Sequence, residues 1–105
     1  MASHHLAEAR SLAYHRAIAD ALGRDPAILP RARARIEEWT LAAPMSPRYV
    51  SAWRVLLASP LDTIVALLID TSEHGRAMRQ TTPFAGALSP ETRWQIFRRV
   101  REPAR

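Results

Sequence analysis

Ser-Pro occurs three times, at Ser46-Pro47, Ser59-Pro60 and Ser89-Pro90, and Asp25-Pro26 repeats the pattern with a carboxylate. A Ser or Asp side chain accepts hydrogen bonds from the free N–H groups of a helix's first turn. Proline suits the first helical position because an N–H there has no partner. Each pair is therefore a helix boundary with a mechanism, and four in a chain of 105 residues predict an all-α fold. No repeat of solenoid length and no low-complexity linker interrupts the series, so residues 1–105 read as one helical domain. Residues 1–5 are expected to stand outside its packing, and residues 102–105 to form a frayed tail.

Apolar spacing between these boundaries predicts five to six short helices in a compact bundle. The first, over residues 3–22, aligns Leu6, Ala9, Ala13, Ala17 and Ala21, with Leu12, Tyr14, Ile18 and Leu22 widening the face and Gly23 following as a cap. The second, over 26–42, places Leu29, Ala32, Ile36 and Trp39 in register, with Pro30 kinking its first turn or marking its true start. The third, over 47–58, aligns Trp53, Leu56 and Leu57. The fourth, over 60–69, is apolar almost all round and is expected to be the most buried. Ser72 can cap a short helix over 73–80, and a last helix over 90–101 puts Trp94 and Phe97 on one side. Short connections imply neighbours packed antiparallel or at steep angles.

Composition excludes several classes. There is no Cys, hence no disulfide framework, thiol nucleophile or thiolate zinc site. The apolar stretch 55–69 is broken by Ser59, Pro60, Asp62 and Thr63 and falls short of a membrane span. The first residues lack a basic start before an apolar core, so a cytoplasmic chain is expected. The formal net charge is +5, carried by 15 Arg and no Lys. With Ala abundant and Asn absent, this all-Arg usage follows GC-rich coding and is weak evidence for phosphate binding. Only the C-terminal end, with Arg93, Arg98, Arg99, Arg101 and Arg105 against Glu102, is clearly one-signed.

Motifs for chemistry are sparse. His4 and His15 stand three helical turns apart, too far to hold one ion, and only Glu8 lies near His4 and His5, so no metal and no cofactor is expected. The three glycines form no phosphate-cradling loop. Arg10 to His15 resembles the Arg-x4-6-His pattern of the small helical ribonucleases called HEPN domains. There, His would act as general base on a ribose hydroxyl and Arg would stabilise the phosphorane charge. The family's motif sits late in its bundle, whereas here it falls on the first helix. The competing reading makes His15 and Arg16 ordinary, partly exposed helix residues, and the chain is expected not to be an enzyme.

Three further features suggest binding. Trp39, Trp53 and Trp94 read as core anchors at helix crossings, with an interface anchor as the alternative. The C-terminal helix is both basic and aromatic, fitting either phosphates or a carboxylate-rich protein face. Residues 79–86, Arg-Gln-Thr-Thr-Pro-Phe-Ala-Gly, exceed what a helix connection needs and read as a contact loop or a structural plug. A face such as Tyr49, Trp53 and Leu57 could also pair with a second copy.

Residues 78–86, followed by Ser89-Pro90-Glu91-Thr92-Arg93-Trp94, resemble small helical bacterial proteins encoded beside a toxin, often of nucleotidyltransferase type. That resemblance implies an antitoxin-like protein that neutralises a cognate toxin or enzyme by occupying its surface. Arg79, Phe84, Arg93, Arg98 and Arg101 are the expected contact residues, Phe84 filling a pocket and the arginines pairing with acidic groups. The alternatives are a nucleic-acid-binding regulator using the Arg-rich C-terminal helix and an Arg10/His15 ribonuclease.

Overall fold

The computed structural model describes residues 2–42 and 46–100, and among them every regular element is a helix. The order is α1 (Ala2–Ala21), α2 (Ile28–Ala42), α3 (Pro47–Leu57), α4 (Leu61–Leu68), α5 (Glu73–Gln80) and α6 (Pro90–Arg99). The bundle measures 43 × 30 × 24 Å. α1 is its spine and packs against α4, α5 and α6, while α2 packs on α3, α3 on α4 and α4 on α5.

The starts follow the expected chemistry at three places. Ser46 Oγ accepts from Arg48 N–H at 3.3 Å, Ser72 Oγ from Gly75 N–H at 3.2 Å and Ser89 Oγ from Thr92 N–H at 3.1 Å. Ser59 does otherwise: its hydroxyl donates to the Val55 carbonyl at 2.9 Å, so it closes the end of α3, and α4 starts behind Pro60 with no side-chain cap. Asp25 accepts from Ala27 N–H at 3.0 Å and shapes a turn, which delays α2 to Ile28. Pro30 then falls in the first turn of α2, where its missing N–H removes no helical bond. α1 begins at Ala2, so residues 2–5, expected outside the packed domain, are helical. Residues 102–105 lie outside the described residues.

The core is formed by Tyr14, Ile18 and Leu22 of α1, Ile28, Ala32 and Ile36 of α2, Val50, Trp53 and Leu57 of α3, Ile64 and Leu68 of α4, and Met78 of α5. Phe84 joins them from the α5–α6 connection. In α1 the buried edge runs through Tyr14, Ile18 and Ala21, leaving Ala13 and Ala17 half-buried. α4 is buried only along Ile64 and Leu68. Leu61 and Ile69 are exposed, which corrects the expectation of an all-round buried helix. A helix of eight residues between α1 and α3 has neighbours on part of its circumference only. Trp53 and Leu57 are sealed inside the chain. The self-pairing face expected at Tyr49, Trp53 and Leu57 therefore does not exist as a surface. No helix among the described residues is long and apolar enough to cross a membrane.

Candidate partner-binding surface

The α5–α6 connection is a plug fastened by α1 and α3. Phe84 is 1% exposed and meets Trp53 edge-on with centroids 5.9 Å apart and His15 at 6.5 Å. Its backbone is held as well. Tyr14 O–H donates to the Phe84 carbonyl at 3.1 Å and accepts from Leu88 N–H at 3.3 Å. Thr82 Oγ1 accepts from Phe84 N–H at 3.0 Å. Trp53 Nε1–H donates to Thr81 Oγ1 at 3.0 Å, and Arg35 donates to the Ala85 carbonyl. Gly86 closes the turn at φ 81°, a conformation other residues adopt only with strain.

His15 is the pivot of this plug. It is 1% exposed, with Nδ1 2.7 Å from the Ser11 carbonyl and Nε2 2.8 Å from Thr82 Oγ1. A carbonyl only accepts, so the assigned tautomer carries its proton on Nδ1, and Nε2 accepts from the Thr82 hydroxyl. Burial lowers its pKa from 6.5 to about 4, the Ser11 carbonyl opposing this and the Arg79 charge adding to it. Such an imidazole is neutral at physiological pH with both nitrogens engaged. It lacks the accessible, near-neutral basicity a general base needs.

Most arginines on the α1, α2 and α5 side hold backbone or carboxylate. Arg79 is 4% exposed and donates through Nη1 to the carbonyls of Leu68, at 3.3 Å, and Asp70, satisfying the end of α4. Burial lowers its pKa, opposed by the Glu8 and Asp70 carboxylates. The Ser72 N–H holds the Asp70 carboxyl below the usual range. Arg33 grips the Leu57 carbonyl with Nε and Nη2 at 3.1 and 2.8 Å, Arg54 pairs with Glu37 at 3.1 Å, and Arg76 with Glu8 at 3.1 Å.

Two of the five expected contact residues therefore change role. Phe84 fills a pocket of this chain and not of a partner, and Arg79 faces carbonyls of α4 and its exit. Neither presents a side chain to a visitor. Arg93 is exposed, its guanidinium 5.4 Å from the Phe97 centroid, and Arg98 is exposed on the outward side. Arg101 lies outside the described residues.

What spacing missed is Trp94. Expected in the core with Trp53, it is 61% exposed. α6 packs on α1, Phe97 meeting Tyr14 with centroids 6.4 Å apart, and Ile96, Phe97 and Val100 are its half-buried apolar side chains. At about 100° per residue, Trp94 falls roughly 110° from the centre of that arc, beside Arg98. The signal was present in the helix's three apolar side chains outvoting one.

On the inner side of α6, a cleft of about 400 Å³ opens between α1, the plug and α6, lined by Arg10, Tyr14, His15, Gly86, Arg93 and Phe97 among others. Arg10 and His15 thus share one cleft, but His15 faces it with both nitrogens already bonded. Among the described residues no three His, Asp or Glu side chains cluster as metal ligands. Comparison with protein families, with curated proteins and with solved structures found no match for this chain.

Proposed function

We propose that this chain is a protein-binding module, and that its contact face is the outward side of α6, with Trp94 as anchor and Arg98 beside it. The observation that carries the reading is the 61% exposure of Trp94 on a helix that also holds Arg93, Arg98 and Arg99. A large aromatic left in water on a small domain loses a favourable burial, and Trp with Arg is the pair most enriched where interface energy concentrates. Arg98 forms no ion pair among the described residues, so it is open to a carboxylate of an acidic partner. The antitoxin-like setting comes from the resemblance over residues 78–94: a cytoplasmic chain that covers the surface of a cognate toxin or enzyme and so restrains it.

The nucleic-acid alternative rests on the same helix, and the ribonuclease alternative draws no support from a neutral, doubly bonded His15. The test is capture from the native host with tagged chain, half the sample treated with nuclease, followed by mass spectrometry. A stoichiometric protein that survives nuclease and is lost with Trp94→Ala is expected. Nucleic acid as the only retained material, or protein capture indifferent to Trp94→Ala, would overturn the proposal.

A further inference from the structure

The cleft behind α6 has a charge imbalance that its neighbours lack. Arg10 and Arg93 both line it, and each guanidinium carbon lies 5.4 Å from the centroid of the same ring, Phe97. Among the described residues no carboxylate lines it, whereas the neighbouring pocket near Arg76 and Arg79 contains Glu8. Two like charges around one aromatic ring repel each other, and the ring's π face offsets that only in part. Arg10 adds a second anomaly: its Nε–H is shielded from solvent and meets no acceptor among the described residues. A buried donor without a partner is unfavourable by the desolvation of that group. The buried guanidinium group of Arg79, by contrast, finds carbonyls of its own chain.

From this geometry we infer that the cleft binds a phosphate monoester, its dianion set between Arg10 and Arg93 and its organic group lying along the apolar wall. Charge selects the phosphate. Two guanidinium groups, with no acidic neighbour among the described lining residues, match a group of nearly two negative charges at neutral pH better than a single carboxylate. Shape selects the ester. The wall beside the two arginines is made by Tyr14, Ala85, Gly86 and Phe97, and Gly86, lacking a side chain, leaves the floor open to a flat body. A volume of about 400 Å³ is in the range of pockets that enclose small ligands. His15 borders the cleft as a neutral wall residue and carries no charge of its own to the site.

The site is separate from the outward Trp94 and Arg98 face, so the two readings can fail independently. The probe is phenyl phosphate, titrated into the full chain and followed by NMR at the Arg10 Nε–H and the Phe97 ring, with inorganic phosphate and benzoate as comparison arms. Phenyl phosphate should give saturable shifts at both groups. Arg93→Gln, at an exposed position, should leave the backbone spectrum intact and weaken binding about tenfold, as expected for one charge-assisted contact. Trp94→Ala should leave it unchanged. Inorganic phosphate, lacking the ring, and benzoate, carrying one charge, should each bind more weakly than phenyl phosphate. Absence of saturable shifts, or equal affinity in Arg93→Gln, would overturn the site. Benzoate equal to phenyl phosphate would overturn the phosphate assignment, and inorganic phosphate equal to it would overturn the ester.

Discussion

Lowering the pH should loosen the plug through one residue. His15 is neutral when folded, with a pKa of about 4, and returns to the ordinary 6.5 when the chain unfolds. Between those values the unfolded chain binds a proton that the folded chain refuses, so stability falls as pH falls. Above 6.5 the contribution is fully present; below about 4 its loss is complete. A difference of about 2.5 pKa values corresponds to about 3 kcal/mol in the limit, and to about 2 kcal/mol lost by pH 5. That is a large part of what a domain this small possesses. Carboxylates are still largely ionised at pH 5, so the window from pH 8 to 5 isolates the imidazole. The assay is urea denaturation at pH 8, 7, 6 and 5, on the wild type and on His15→Gln. His15→Gln should be less stable at pH 8 yet nearly flat across the window, whereas the wild type should lose about 2 kcal/mol. Equal slopes in the two proteins would refute the reasoning. His5 and His74 are both exposed and remain in the variant as internal controls.

Other substitutions separate plug from surface. Phe84→Ala should cost about 3–5 kcal/mol in the same denaturation assay, because it empties the space against Trp53 and His15. Trp94→Ala should change stability by no more than about 0.5 kcal/mol while abolishing partner capture. Tyr14→Phe leaves the ring but strands the Phe84 carbonyl and Leu88 N–H, for a loss of about 1–3 kcal/mol and faster amide exchange at Leu88. Gly75→Ala would drive a Cβ into the Asp70 carbonyl, part of the backbone and unable to yield, and should lower stability by about 1–3 kcal/mol on thermal unfolding.

The parts of the fold that were legible are those determined locally. Ser46, Ser72 and Ser89 cap helices because each competes only with its own first turn. Ser59 has the same local sequence but ends a preceding helix, and the Val55 carbonyl four residues back claims its hydroxyl. The plug was visible as an excess of sequence between α5 and α6, with contact loop and structural plug both open. Its partners decide the matter: Trp53, Tyr14 and His15 reach it from 28 to 70 residues away, and no spacing rule carries that information. Phe84 and Trp94 exchanged roles for a related reason. Hydrophobicity says that an aromatic will bury itself where it can. Which aromatic finds a concave neighbour depends on how α6 rolls on α1, and there Ile96, Phe97 and Val100 prevail over Trp94. Arg79 looked like a surface cation because charge favours exposure. The end of α4 supplied carbonyls enough to bring it in.

The central claim is that the outward side of α6 meets a protein, and a photo-crosslinking side chain at position 94, expressed in the native host, tests it most directly. The same side chain at position 24, exposed in the turn between α1 and α2, serves as the reference. Irradiation should join position 94 to one protein in a single discrete adduct and leave position 24 without it. An adduct of position 94 with nucleic acid, or the same protein captured equally from both positions, would contradict the claim.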